Sequence, residues 1–425
     1  MRRHTPGGLP DRVGAPTYSS SVRFLHTSDW HLGRSFHQVG LLPAQGRFLD
    51  HLVAVVRAEQ VDAVLVAGDV YDRALPSPET VQLLSETVVR LVDAGAQVVL
   101  SSGNHDSATR LGFASDLLER SGLHIRSTVA DIGRAVLVKG VAVHALPYLE
   151  PSAVADTLGA KERTHAGVLR AAMSRVEADL ASRGPSVVMA HAFVTGGATS
   201  DSERDIAVGG VSAVHPDVFA SASYAALGHL HGRAEITGRV RYSGSPVAMS
   251  FSEWRHTKGS WLVDLGADGA VAAQFVEAPV DRPLRLLRGD LDDLLTEAAL
   301  ADAQSAYVQV TLTDAVRPRA AMDRLRARFP HTLVLQWDPV GAAVDLSSYA
   351  ARVGTRRDDL DLCCDFLTHV RGGLPAGRGE RGLLREALEA SRIEQARHAD
   401  EIGAMLPGLE DLELPEHPER RSGAA

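Results

Sequence analysis

From Val22 onward, short apolar runs alternate with stripes of apolar residues at helical spacing. Val22 to His26 reads as a buried strand, and Phe48, Leu52, Val55 and Val56 recur as one face of a helix. Ala63-Val64-Leu65-Val66-Ala67 is a second strand, and Glu79 to Leu91 an amphipathic helix opened by Ser77-Pro78. Val98-Val99-Leu100, Val187 to Ala190 and Tyr224 to Leu227 continue the strand series. Arg241 to Pro246 and Trp261 to Leu265 add strands to the same domain. The pattern predicts an α/β domain over residues 22–277. Its polar motifs fall where the apolar runs end, the place where open α/β sheets keep their sites.

From about Ala278 the pattern shrinks to a smaller α/β unit. Leu284 and Leu286 alternate, as do Val308, Val310 and Leu312, and then Leu333, Leu335 and Trp337. Between them Arg317-Pro318 opens a helix carrying Met322, Leu325 and Phe329. Beyond Ala350, one helical stripe runs through Leu360, Cys363, Cys364, Leu367 and Val370. Gly372-Gly373-Leu374-Pro375 breaks it, and a second helix carries Leu383, Leu384, Ala387 and Leu388 before an acidic tail. Residues 1–21, rich in Gly, Pro, Arg and Ser, read as a disordered extension.

Composition narrows the classes. A net charge of −9 argues against coating nucleic acid by bulk charge, though not against a local basic groove. The two cysteines, adjacent at Cys363 and Cys364, form neither a disulfide framework nor a thiolate zinc site. No apolar run approaches the ~20 residues of a membrane span. The N-terminus shows no signal-peptide core, so the expected location is cytoplasmic.

The strand ends carry the chemistry. In order they are Asp29-x-His31, Gly68-Asp69-x-x-Asp72, Gly103-Asn104-His105-Asp106, His191 and Gly228-His229-x-His231. Each alone is weak, since a His after a strand is more often a bonded core residue. Together they offer carboxylates, an amide and imidazoles, a set suited to Mn²⁺, Fe²⁺ or Zn²⁺. Seven ligand-type side chains are too many for one ion. Two ions about 3.5–4 Å apart would share a bridging carboxylate, for which Asp69 is the natural choice.

This order of motifs resembles the calcineurin-like metallophosphoesterases. Thr27 to Arg34, Tyr224 to Leu230, and Tyr242-Ser243-Gly244-Ser245-Pro246 with Ser250-Phe251-Ser252-Glu253 are more narrowly similar to the SbcD family of bacterial nuclease subunits. The resemblance runs from about Val22 to the second tail helix. It implies a two-sheet α-β-β-α sandwich, a capping domain over 278–345, and a partner-docking segment with an acidic tail over 346–425. It implies that Asp29, His31, Asp69 and His231 hold one metal, and Asp69, Asn104, His191 and His229 the other. The two divalent ions would be Mn²⁺ first, with Mg²⁺, Fe²⁺ or Zn²⁺ as alternatives.

His105 would stand beside the scissile phosphate as proton donor. Asp106 would fix its tautomer or else cap the next helix. Asp72, where some repair relatives have a His, would orient a ligand from behind or hold Arg73. Arg34, His37, Arg73, Arg110, Arg233 and Arg255 follow the motifs and are candidate DNA contacts.

The implied activities are 3′-to-5′ duplex exonuclease and hairpin endonuclease action on DNA, in repair, recombination and replication, with an SbcC-like ATPase. The implied assembly is a homodimer within a heterotetramer. It would pair through the helix Glu79 to Leu91 and one carrying Leu111, Phe113, Leu117 and Leu118. The rivals are another phosphodiesterase or phosphatase of the superfamily, and a non-catalytic DNA-end scaffold.

Overall fold

The computed structural model describes residues 21–203, 213–339, 358–371 and 373–405. Most of the expected N-terminal extension and the acidic end of the tail lie outside these residues. Among the described residues seventeen strands follow in order. In the first half they are β1 (Ser21–Thr27), β2 (Ser35–Phe36), β3 (Val39–Gly40), β4 (Ala63–Ala67), β5 (Gln97–Ser101), β6 (Leu123–Arg126), β7 (Val136–Val138) and β8 (Val141–Ala145). Then come β9 (Ser186–His191), β10 (Tyr224–Gly228), β11 (Ala234–Glu235), β12 (Val240–Tyr242), β13 (Gly259–Gly266), β14 (Val271–Glu277), β15 (Leu284–Gly289), β16 (Tyr307–Leu312) and β17 (Thr332–Trp337).

Two six-stranded sheets form the centre, ordered β14-β13-β1-β4-β5-β6 and β11-β12-β10-β9-β8-β7. Within them β1, β4, β5 and β6 run parallel, as do β8, β9, β10 and β12. Such strands are covered on both faces, which is why they read as unbroken apolar runs rather than alternations. Phe24, Leu65 and Val99 from one sheet and Val143, Met189 and Tyr224 from the other fill the space between the sheets. Leu25, Val64 and Val98 meet Phe48, Leu52, Val88 and Leu91 of the helices Leu42–Glu59 and Pro78–Asp93 on one outer face. Val188 and Ala225 meet Leu158, Val168 and Val176 of Pro151–Leu158 and His165–Leu180 on the other. The layers are therefore α-β-β-α, a sandwich with its site at one rim.

The chain divides into two compact units. One takes the described residues up to Leu287 with Glu297–Val310 and Leu325–Leu335; the other takes Arg288–Thr296, Thr311–Arg324 and the described residues from Gln336. The division passes through the small sheet β15-β16-β17. In the first unit Phe36, Leu41, Met249, Phe251 and Leu284 make a cluster with Tyr307, Leu333 and Val334 against it. In the second, Asp359–Val370 and Arg378–Met405 are helices, tied by Arg371–Glu380 (2.9 Å) and Arg381–Asp361 (2.6 Å). The latter, at 28 residues, extends well past the apolar stripe seen in the sequence.

Two expectations change. The helix through Leu111, Phe113, Leu117 and Leu118 is two four-residue turns, Ala108–Leu111 and Ser115–Leu118, broken by Gly112 and by Ala114 at φ 59°. The helix of the small unit starts at Ala321 rather than at Pro318. Among the described residues no helix is long and apolar enough to cross a membrane.

Candidate metal centre

The site lies at the carboxyl ends of β1, β4 and β5 from one sheet and of β9 and β10 from the other. After β1 and β4 the chains run side by side, with Asp29 N–H donating to Gly68 O (3.1 Å) and His31 N–H to Asp69 O (2.9 Å). Asp29, His31, Asp69 and His229 all have positive φ (52°, 44°, 49° and 106°). Such conformations are costly for residues with a Cβ and persist where surrounding bonds over-determine them. Gln45, polar on the apolar face of its helix, holds this turn. Its amide donates to the carbonyls of Trp30 (3.0 Å) and His31 (2.8 Å) and accepts from Gly33 N–H (3.1 Å). Gly103 and Gly228 have no room for a side chain: a Cβ would lie 2.1 Å from Asp69 Oδ1 and 1.8 Å from Ala67 O, respectively.

The seven ligand-type residues come together. Asp69 Oδ2 stands 3.4 Å from His31 Nε2 and 3.4 Å from His191 Nε2, between the two halves of the set. His31 Nε2 and His231 Nε2 are 3.1 Å apart, and His191 Nε2 is 2.9 Å from Asn104 Oδ1. His191 Nδ1 donates to Ala67 O (3.1 Å), so in the neutral ring it is Nε2 that carries the lone pair facing the Asn104 oxygen. Lone pairs facing at these distances repel unless a proton or a cation lies among them. Asp29 accepts His229 N–H at both oxygens (3.0 and 3.1 Å) and Ser28 Oγ–H at Oδ2 (2.5 Å). His229 itself packs its ring 5.3 Å from that of His191.

The electrostatics point the same way. Burial alone would raise the Asp69 carboxyl, but His191 and His31 beside it hold it well below the usual range. Burial would lower His191, but Asp69 and Asp29 push it up to about 9. The carboxylates thus draw positive charge into this spot, and a divalent ion supplies it more fully than a proton. Burial carries Asp29 up to about 6 against the pull of His191 and His231. It carries His229 down to about 3, a neutral imidazole suited to ligation. The oxygen and imidazole donor set fits divalent first-row ions.

His105 sits beside this cluster, its ring 4.5 Å from that of His31. Its backbone N–H donates to Asp69 Oδ1 (2.8 Å), and its Nδ1 donates to the Asp72 carbonyl (2.8 Å). The group fixing its tautomer is thus a backbone oxygen. Asp106 instead accepts from Val70 N–H (3.1 Å), Tyr71 N–H (2.9 Å) and Gly103 N–H (2.9 Å), bracing the loop that presents Asp69. The cap of the next helical turn is Ser107, which accepts from Arg110 N–H. Burial, then Asp69, pushes Asp106 up to about 7, while the three amides pull it down.

Asp72 lies behind His31, Oδ1 to Nδ1 3.6 Å, and pairs with Arg34 at 2.9 Å. Arg73, mostly exposed, is 3.7 Å from its other oxygen. Of the candidate DNA contacts, Arg34 is thus turned inward, donating also to Ser202 O (3.1 Å). Arg110 reaches Ala74 O (3.3 Å), while Arg233 and Arg255 lie over Phe275 (4.5 Å) and Trp254 (4.3 Å). His37 packs on Phe36 and Phe251. An open cleft lined by Leu32, Gly33, Asp72, Arg73, Ser77 and Thr80 runs alongside.

The calcineurin-like phosphoesterase family model matches residues 22–232. A second model, described as the type 5 capsule protein repressor C-terminal domain, matches residues 280–369. The SbcD nuclease subunit of the SbcCD complex from Staphylococcus epidermidis is 30% identical over 317 residues, covering 74% of this chain and 85% of that one. Two solved structures align weakly. A dimetal phosphatase from Danio rerio is 12% identical, with 61% of this chain and 99% of that one covered at a TM-score of 0.35. A beta-glucosidase from Exiguobacterium marinum is also 12% identical, with 75% and 89% covered at a TM-score of 0.20. The sandwich with donors converging at its rim defines a divalent-metal phosphoesterase of the calcineurin-like class. Within that class the chain belongs to the SbcD family of metal-dependent nuclease subunits.

Proposed function

We propose that this chain hydrolyses DNA phosphodiesters at this rim, which would hold two divalent ions, Mn²⁺ in the first place. Asp29, His31, Asp69 and His231 hold one, and Asp69, Asn104, His191 and His229 the other. The observation carrying this is Asp69 Oδ2, equidistant at 3.4 Å from imidazole nitrogens of both sets. When bound, such a pair neutralises phosphate charge, lowers the pKa of a bound water and clamps attacking and leaving oxygens. His105, with Nδ1 committed to the Asp72 carbonyl, offers Nε2 as the atom that hands a proton to the departing sugar oxygen. Asp72 sets the His31 ring and Asp106 the Asp69 loop; both position rather than react.

The substrates on this reading are DNA ends and hairpins, cut without base readout. Arg73 in the open cleft is the best-placed phosphate contact. The domain boundaries follow the same reading, with a nuclease domain to about 277, a cap over 278–345 and a docking segment beyond. The Staphylococcus relative is one subunit of a complex, and an SbcC-like ATPase is the partner proposed for this chain. Exposed apolar side chains at Leu362, Phe366 and Val370, one turn apart on one helix, suit a helix-in-groove contact with it. Exposed Phe113 and Leu117 suit a two-fold pairing of the chain into a homodimer, within a heterotetramer. Cleavage of a DNA hairpin and of a blunt duplex by Mn²⁺-loaded protein, with and without the ATPase, tests the proposal. Metal-dependent cutting is expected, and binding without cleavage in every metal would favour the scaffold.

A further inference from the structure

The stretch from Tyr242 to Glu253 is absorbed by neither metal set, yet it ends in a buried ion pair behind His231. Glu253 is 1% exposed and Lys258 7% exposed. Lys258 Nζ contacts Glu253 Oε2 and also donates to His231 O (2.9 Å) and Ser245 Oγ (2.8 Å). Glu253 Oε1 accepts from Ser202 Oγ–H (2.5 Å) and Met249 N–H (3.2 Å). Ser202 Oγ lies 2.6 Å from His231 Nδ1. His231 N–H donates to Glu203 Oε1 (2.7 Å), so its amide, its carbonyl and its ring are all held by hydrogen bonds.

The proton count fixes the direction of this chain. A serine hydroxyl has one proton to give and lone pairs to receive. A carboxylate beside a buried ammonium can only accept, so the Ser202 proton points to Glu253. Ser200, 3.0 Å from Ser202, spends its own proton on Glu203 Oε2 (2.8 Å). Ser202 therefore receives from His231, which places the ring proton on Nδ1. Nε2 is left as the lone pair, facing His31 Nε2. A ligating imidazole needs such a partner on its other nitrogen to set tautomer and orientation.

We propose that Ser202, Glu253 and Lys258 are positioning residues that lock His231 in its Nδ1–H tautomer, presenting Nε2 to the ion of Asp29, His31 and Asp69. This rests on the two-ion reading above for its consequence but not for its geometry, and the experiment separates them. In metal-free protein labelled with ¹⁵N-histidine, the His231 signal is assigned by difference from His231→Gln. The tautomer is then read from its nitrogen shifts. Wild type should show a protonated Nδ1 and a bare Nε2. Ser202→Ala should lose that pattern, and Ser202→Thr, which keeps the hydroxyl, should retain it.

Mn²⁺ titration should then show one of two ions bound about 10–100-fold more weakly in Ser202→Ala, the other unchanged. A wild-type His231 carrying its proton on Nε2 overturns the proposal without any variant. So does a Ser202→Ala protein with wild-type tautomer and wild-type affinity for both ions. If wild type binds fewer than two ions while the tautomers behave as stated, the two-ion reading fails and the lock stands.

Discussion

Replacing His105 by Ala separates catalysis from metal binding. Its backbone N–H donates to Asp69 Oδ1 (2.8 Å), a link to the metal set that the substitution keeps. What is lost includes the ring's bond to the Asp72 carbonyl (2.8 Å) and its edge contact with His31. A single neutral hydrogen bond contributes about 1 kcal/mol to stability, so the protein should remain folded. Loss of one proton-donating group costs about 10²–10⁴-fold in turnover, or about 2.7–5.4 kcal/mol of barrier. The assay is single-turnover cleavage of a labelled hairpin, run beside elemental analysis of the same sample. His31, Asp72 and His105 also place donor atoms within 4.8 Å of one another, so His105 has a rival role as ligand. Loss of metal together with activity would establish that rival role. A rate within tenfold of wild type would remove His105 from the chemistry.

Gly228→Ala should abolish both folding cooperativity and metal binding, because its Cβ would sit 1.8 Å from Ala67 O where the two sheets meet; thermal unfolding checks it. Buried His26, bonded to Tyr224 Oη (2.9 Å) and Leu227 O (3.0 Å), is pushed down to about 3 by burial. Between pH 6.5 and about 3 the unfolded chain binds a proton that the fold refuses, so stability should fall as pH falls through that window. At 1.36 kcal/mol per pH unit the loss reaches about 5 kcal/mol, and His26→Gln should flatten it in urea titrations. Deleting residues 355–425 should leave metal content and basal cleavage intact while ending co-purification with the ATPase; retained binding would move the docking surface elsewhere. Phe113→Glu with Leu117→Glu should convert a dimer to monomer in light scattering, and an unchanged mass would refute that pairing.

The ligand-type residues were legible because parallel strands buried on both faces read as apolar runs, and each run stops where the backbone turns toward the site. Asp29 and His31, or His229 and His231, are close in sequence for that reason. Their supports were not legible. Ser202 reaches His231 across 29 positions and Glu253 across 51, and such pairings leave no periodic trace. Gln45 did leave one, a polar residue on the apolar stripe of Phe48, Leu49 and Leu52. Residues between Ser107 and Gly184 gave little, since β6, β7 and β8 are three to five residues long. Adjacency to His105 in sequence suggests a shared role for Asp106, whereas its carboxylate turns back to amides of the preceding loop.

A pair of ions sharing Asp69 would leave a direct signature in a crystal. Anomalous diffraction at the manganese edge from Mn²⁺-soaked crystals of the full chain measures it directly. Two peaks about 3.5–4 Å apart are expected, with Asp69 between them, one flanked by His31 and His231 and the other by Asn104 and His191. A single peak, or two peaks with Asp69 touching only one, would contradict it.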